Sequence, residues 1–460
     1  MAEGRVRAEH SEEIALCSFR RKLSLSMRPL FLFLLLLLAP LSACAQDVLP
    51  PNYAPIAQAY VVLDLDSGRV LYSKNPDQRL FPASTTKAMT ALVAYENGTP
   101  GQIIHASFAA AHTGESAIYL QQGEARTLDE LLHAAMIRSA NDACVAIAEG
   151  VGGSVPRFVG MMNAKAKQLG LKNTHFVNPH GLHDPQHYTS ARDLAAIARA
   201  FTQVPFLNRI VAEKTAKIGG NSKIGPVRLL INRNKLLFRW PMCDGLKTGS
   251  TKEAGHCLIA TATTRDAKGK PWRLLSVVLK SKGNFTYLDT QWLLKKAFAS
   301  FQPQVVATPG QTLWRGAIKG GAAPVEATTT HAIELPLRKD ERGDLKSKVE
   351  MLDLKAPLKR GQLVGRANYF AGGRLIASVP LEARANVGQT FLASAIPVVE
   401  KRVFSPTRSQ KLAWLSAFFG LLAILLLKRR QRMRRRRRAK RHAQSKPTFE
   451  PLDPRDFQPR

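Results

Sequence analysis

Near the C-terminus, Leu412 to Leu427 (LAWLSAFFGLLAILLL) runs without a charge and meets KRRQRMRRRRRAKR directly, which limits where a water-soluble fold can lie. A membrane-spanning helix wants about 20 apolar residues, range roughly 17 to 25, and the flanking Lys411 and Lys428 can snorkel to lengthen a short one. The arginine block beside it suits the cytoplasmic side, placing residues 428–460 inside and the body outside. A buried core helix and an interfacial helix on anionic lipid are the alternatives. Residues 27–45 (MRPLFLFLLLLLAPLSACA) present a positive residue, an apolar run and a small-residue end, as secretory signals do. Leu41-Ser42-Ala43-Cys44 also reads as a lipobox with Cys44 lipidated, whereas Ala43-Cys44-Ala45 suits ordinary cleavage. Both remain open, and Met27 is an alternative start after a long leader.

The chain has 460 residues, which predicts two or three domains. Apolar residues at 45% and charged residues at 22% are globular proportions. Residues 428–441 carry eleven Lys or Arg of a chain whose formal charge is +33. Lipid headgroups and topology account for that block, so no nucleic-acid partner is called for, while the mildly basic body favours anionic surfaces or polymers. Five cysteines (Cys17, Cys44, Cys144, Cys243, Cys257) do not make a disulfide framework. Cys144 sits in an apolar helical pattern and reads as buried, and the expected register does not favour pairing Cys243 with Cys257.

After the linker VLPPNYAPI, the stretch AYVVLDLDSGRVLYS (59–73) reads as a hairpin around Asp66-Ser67-Gly68. A helix is expected from about Ser84 to Tyr95. Thr127-Leu128-Asp129-Glu130 is a capping box before LLHAAMI, another helix follows Asn141, and Ser190 to Asp193 repeats the capping pattern. Strands return over 241–280, and DTQWLLKKAFASF closes the region as a helix. Helices covering an antiparallel sheet, an α/β (α+β) arrangement, are expected over residues 52–301. Residues 303–397, with HAIELPL, KVEMLDL and RLIASVPLEA, predict a small all-β sandwich. No nucleotide-type glycine loop and no metal-ligand spacing occurs, so no cofactor is expected.

In FPASTTKAMT, Ser84 lies three residues before Lys87 with no histidine beside it. A serine hydroxyl needs a base to act as a nucleophile, and residues three apart share a helical face. A helix N-terminus also favours developing negative charge. Lysine is a base only when neutral, which burial and a second cation promote. Ser139-Ala140-Asn141 can offer a hydroxyl and an amide from a loop. Lys247-Thr248-Gly249 supplies the second cation on a strand, where Gly249 lets a substrate backbone approach. Singly these motifs are commonplace, whereas together, in an exported chain, they match penicillin-recognising serine enzymes.

The motifs PASTTKAMTALV, SANDACVAIAE, NPHGLHDPQHYTSARDLA and DGLKTGSTKEAGHCL resemble the serine-type D-alanyl-D-alanine carboxypeptidases, low-molecular-mass penicillin-binding proteins of the S11 peptidase family, over residues 55–395. The resemblance implies a transpeptidase-like catalytic domain without a metal, and a bacterial inner-membrane enzyme with its catalytic part in the periplasm. Its substrate would be a peptidoglycan stem peptide and its role cell-wall biogenesis and cell shape. Ser84 would form the acyl-enzyme and Lys87 would take its proton. Ser139 would relay a proton, and Asn141 would hold the acyl amide and orient Lys87. Lys247, Thr248 and the more loosely matched Arg233 would bind the terminal carboxylate. N–H groups of Ser84 and Ser250 would form the oxyanion hole. β-Lactams would trap Ser84. Ser250 stands where some relatives carry histidine. A β-lactamase and a DD-endopeptidase on the same fold are the alternatives; the Glu-x-x-Leu-Asn stretch of the common β-lactamases is missing, and Asp142 reads as a helix cap. Nothing identifies a protein partner for the β region.

Overall fold

The computed structural model describes residues 52–220 and 225–390. The leader, Cys44, the apolar segment 412–427 and the basic tail lie outside the described residues, among which no helix is long and apolar enough to cross a membrane.

The chain divides into two units. The first, running to Val306 with Glu334–Leu345 and Ala371–Ala377, is built on five antiparallel strands: β1 (Ala59–Asp64), β2 (Val70–Lys74), β3 (Cys243–Thr251), β4 (Gly255–Arg265) and β5 (Pro271–Ser281), in the order β2-β1-β5-β4-β3. Apolar residues on both faces of these strands explain why they are not simply alternating. Val61, Leu63, Ile259, Leu275 and Val277 pack toward the helical block. Val62, Leu258, Ala260, Leu274 and Val278 pack against Leu293, Leu294 and Ala297 of a C-terminal helix. The hairpin around Asp66-Ser67-Gly68 is present, with Tyr60 opposite Lys74.

The α-helices longer than four residues are α1 (Lys87–Asn97), α2 (Leu128–His133), α3 (Asn141–Gly152), α4 (Val155–Gln168), α5 (Ala191–Thr202), α6 (Pro205–Ala212) and α7 (Phe285–Ser300). Their starts follow the capping chemistry of the sequence. Thr127 Oγ1 accepts from the Glu130 amide at 3.2 Å and Glu130 Oε2 accepts from the Thr127 amide at 3.1 Å, completing the box at α2. Ser190 Oγ caps α5 through the Asp193 amide at 3.2 Å, but the Asp193 carboxylate turns away to Asn173 and Thr174. α7 begins four residues earlier than DTQWLL suggests. Cys144, Cys243 and Cys257 are buried and free, and the β3/β4 register sets Cys243 opposite Ala262 and Cys257 opposite Gly249.

The second unit carries a five-stranded sheet, β6 (Thr312–Gly316), β7 (Val325–Thr328), β8 (Lys346–Met351), β9 (Leu363–Ala371) and β10 (Arg374–Ala383), in the order β6-β7-β10-β9-β8. A two-stranded sheet, Gln302–Ala307 with Ile333–Leu337, falls in the same stretch of chain. The C-terminal region is therefore all-β.

Candidate active site

Ser84 does not begin an α-helix. It lies in a 3-10 turn, Ala83–Thr86, and α1 starts at Lys87. Ala83 has φ +48°, and Gly181, at φ +88°, packs so closely that a β-carbon there would lie 1.9 Å from the Ala83 carbonyl oxygen. The tight turn serves the chemistry, because residues three apart eclipse one another in a 3-10 helix. Lys87 Nζ accordingly lies 2.9 Å from Ser84 Oγ.

Lys87 is fully buried. Its other two partners are Asn141 Oδ1 at 2.8 Å and the His180 carbonyl oxygen at 2.6 Å. The His180 carbonyl was not singled out from the sequence, since a backbone acceptor leaves no side-chain signature. Its setting was nonetheless written in NPHG: Asn178 Oδ1 accepts from the amides of His180 (3.3 Å) and Gly181 (2.7 Å), folding the turn that aims the carbonyl. The same segment is pinned to α1 by Thr90 Oγ1 donating to the Pro179 carbonyl at 2.5 Å. His187 adds a further tie. Its Nδ1 accepts from the Val177 amide, so its Nε2 carries the hydrogen donated to Thr86 Oγ1 at 2.8 Å.

Ser139 terminates a π-helical turn, Ala134–Arg138, in the left-handed conformation (φ +67°, ψ +32°), and Asn141 then opens α3. Such backbone costs on the order of 1–3 kcal/mol and persists where surrounding structure enforces it. Ser139 Oγ accepts from Lys247 Nζ at 3.0 Å, and Lys247, 1% exposed, also donates to the Thr248 carbonyl at 2.9 Å. Asn141 is fixed by its amide N–H on the Ser116 carbonyl (2.6 Å) and its Nδ2 on the Gly114 carbonyl (3.0 Å). Asp142 is not the cap of α3, which is Ala140. Its buried carboxylate accepts from the Ile118 and Leu120 amides and so ties the 116–120 loop to the helix.

Gly249 lies against the turn that carries Ser84. A β-carbon there would lie 2.9 Å from the amide nitrogens of Ser84 and Thr85 and 3.0 Å from the Pro82 carbonyl. The 3-10 turn that carries Ser84 thus abuts strand β3. Arg233 is brought to the site: its Nη1 donates to Ser116 Oγ at 2.8 Å and its amide to the Ile137 carbonyl at 3.1 Å. Ser84, Ser139, Arg233 and the Thr248–Ser250 edge border a cleft of about 470 Å³. A separate depression of about 570 Å³ beside His105, Glu149 and Pro156 holds none of them.

Burial pushes Lys87 down to about 8 from the ordinary 10.5, and the nearby Arg233 charge adds to the shift. Lys247 is held well below the usual lysine range, first by burial and then by the charges of Lys87 and Arg233. Of the two influences expected to keep Lys87 neutral, burial dominates and the cation that adds to it is Arg233, while Lys247 is itself driven toward neutrality. His180 and His187 are pushed down to about 3 and about 4, mainly by burial, and are neutral.

An antiparallel sheet flanked by helices, with a serine, two buried lysines and a strained second serine converging beside its edge strand, defines the class of penicillin-recognising serine enzymes. A sequence profile described as D-alanyl-D-alanine carboxypeptidase matches residues 46–283, and one described as penicillin-binding protein 5, C-terminal domain, matches residues 301–389. D-alanyl-D-alanine carboxypeptidase DacF of Bacillus subtilis is 35% identical over 360 residues, covering 76% of this chain and 91% of the relative. The DacA enzyme of Haemophilus influenzae is 35% identical over 384 residues, covering 78% and 93%. The crystal structure of penicillin binding protein 5 from Haemophilus influenzae superposes with a TM-score of 0.62 at 34% identity, covering 74% of this chain and 100% of that one. The chain belongs to the D-alanyl-D-alanine carboxypeptidase family of serine peptidases.

Proposed function

We propose that the protein removes the terminal D-alanine from peptidoglycan stem peptides through an acyl-enzyme on Ser84. The observation that carries this reading is the set of three partners around Lys87 Nζ. A neutral amine has two N–H bonds and one lone pair. Asn141 Oδ1 and the His180 carbonyl accept the two hydrogens, which leaves the lone pair for the Ser84 hydroxyl proton. The Ser84 oxygen bonds to the carbonyl carbon of the penultimate residue, and the C–N bond to the last D-alanine breaks. Ser139 passes a proton to the leaving amine. Water then cleaves the ester and regenerates Ser84.

Lys247, Thr248 and Arg233 receive the terminal carboxylate, whose charge favours a protonated Lys247 in the occupied site. The amides of Ser84 and Ser250 hold the oxyanion, each such donor contributing about 3 kcal/mol. Residues 52–301 form the catalytic domain and 303–397 the β domain. The body works outside the cytoplasm, with 412–427 as its anchor in the inner membrane and 428–460 inside. β-Lactams acylate the same serine.

Mass spectrometry of the full chain with penicillin and with an acyl-D-Ala-D-Ala peptide tests the reading. One penicilloyl adduct on the peptide containing Ser84, with D-alanine release abolished in Ser84→Ala, is expected. Rapid repeated turnover of the drug would instead identify a β-lactamase.

A further inference from the structure

Two short strands of the first unit, Thr215–Ile218 and Arg228–Ile231, pair antiparallel with Thr215 opposite Ile231 and Lys217 opposite Leu229. Side chains alternate between the two faces of such a ribbon. Ile218 and Leu230 enter the core, and the other face of an antiparallel ribbon is ordinarily polar. Here it carries Leu229 at 68% and Ile231 at 56% exposure, with Val227 at 52% two positions ahead. Phe238, also exposed, lies nearby: Lys214, which precedes the first strand, sets its Nζ 5.9 Å from that ring.

The ribbon is held from behind by buried charges. Arg126 donates to Glu124 Oε1 at 2.8 Å and to the Pro226 carbonyl. Arg228 donates to Glu124 Oε2 at 2.8 Å and to the Tyr119 carbonyl at 2.9 Å, and Glu130 Oε1 accepts from the Gly219 amide at 2.6 Å. The outward aliphatic side chains are therefore presented to water by a fixed backbone. Their surroundings are basic, because residues 214–239 contain seven Lys or Arg and no Asp or Glu. Arg228 is used internally, whereas Lys214, Lys217, Lys235 and Arg239 are exposed. Exposed branched and aromatic side chains set among cations, without an acid, match an anionic lipid surface: apolar groups enter the acyl boundary while lysine stems carry their charges out to the phosphates.

We propose that the outer face of this ribbon docks on a bilayer with anionic headgroups, with Val227, Leu229 and Ile231 at the acyl boundary and Lys214 and Lys217 against the phosphates. This rests on the reading of 412–427 as an anchor. Residues 391–411, even fully extended, reach at most roughly 70 Å, which keeps the body close to the bilayer and makes docking an intramolecular second contact. Arg233 follows Ile231 by two positions and borders the cleft, so docking holds the cleft near the headgroup layer.

The test uses the full chain in bilayer discs of phosphatidylglycerol or of phosphatidylcholine, each doped with a lipid bearing a photoactivatable acyl chain, with adducts mapped by mass spectrometry. In phosphatidylglycerol the peptide holding Val227 to Ile231 carries lipid adducts in addition to those on 412–427, at about tenfold the yield in phosphatidylcholine, the scale of one or two cations at an anionic surface. Leu229→Asp combined with Ile231→Asp removes the ribbon adducts and leaves those on the anchor, and penicilloyl adduct formation on Ser84 in detergent reports that this variant is folded. Lys217→Glu, a change at an exposed position, lowers the preference for phosphatidylglycerol without removing any apolar side chain. Adducts confined to 412–427, equal yields in the two lipids, or ribbon adducts that survive the double replacement overturn the docking alone. No adduct on 412–427 overturns the anchor and the tethered docking with it. A dimer in detergent that the double replacement dissolves, read by sedimentation, would assign the face to a second copy of the chain and overturn the proposal.

Discussion

A β-carbon on Gly249 would stand 2.9 Å from the amide nitrogen of Ser84, closer than real side chains come. Strand β3 and the turn that carries Ser84 are therefore in backbone contact, and the obstructing atoms of Ser84, Thr85 and Pro82 are main chain that cannot swing aside. Gly249→Ala should slow penicillin acylation by at least about a hundredfold, since displacements near 1 Å have effects of that size. Adduct formation followed by mass spectrometry reads this directly. Near-wild-type acylation would mean the turn adapts without consequence.

Lys87 at about 8 makes the base available only as pH rises. Below that value the ammonium cannot accept the serine proton, so the second-order rate of acylation should fall about tenfold per pH unit. Because Arg233 opposes protonation of Lys87, Arg233→Gln should move the midpoint to higher pH as well as weaken carboxylate binding. A profile of acylation rate against pH for both proteins separates the two effects, the midpoint reporting only the first. A midpoint near the ordinary 10.5 would contradict the burial argument.

The left-handed backbone of Ser139 and its hydroxyl can be pulled apart by two replacements. Ser139→Ala and Ser139→Gly both remove the relay and should lower kcat by about 100- to 10,000-fold. Glycine pays no β-carbon penalty at φ +67°, so the glycine variant should be the more stable of the two by about 1 kcal/mol. Denaturant unfolding of the pair checks it, and equal stabilities would remove strain from the account of this residue.

Acid should loosen the scaffold behind Lys87 before it affects the sheet. His187 and His180 have folded-state values depressed to about 4 and about 3 from 6.5, so the unfolded chain binds more protons between those limits. Their contribution to stability is full above pH 6.5 and is lost as pH falls through about 4 and then about 3. Urea unfolding at a series of pH values should show this slope, and His187→Gln should flatten it. An unaltered slope in that variant would rule out the imidazole as its source.

The side chains that converge at the cleft were legible because each sits in a short motif whose spacing is set by local geometry: Ser84 with Lys87 on one turn, Ser139 with Asn141 at a helix entry, Lys247 to Gly249 on one strand. The capping box at Thr127 and the Asp66–Gly68 hairpin were legible for the same reason. What escaped depends on contacts made across the fold. The 3-10 turn at Ser84 packs against Gly181, nearly a hundred positions on. The His180 carbonyl is a backbone acceptor. Asp142 looks like a cap until Ile118 and Leu120 are seen to claim its oxygens.

Strand β1 lies between β2 and β5, with Ala59 opposite Leu279. The first strand of the unit thus waits for one of its last strands before the sheet can close. Pairings between such distant segments form slowly, because the intervening loop must be ordered before the contact rewards it. A nascent chain missing residues 271–281 cannot complete the support beneath Ser84. The sheet, and with it the support for the cleft, therefore completes only after nearly the whole unit has been synthesised.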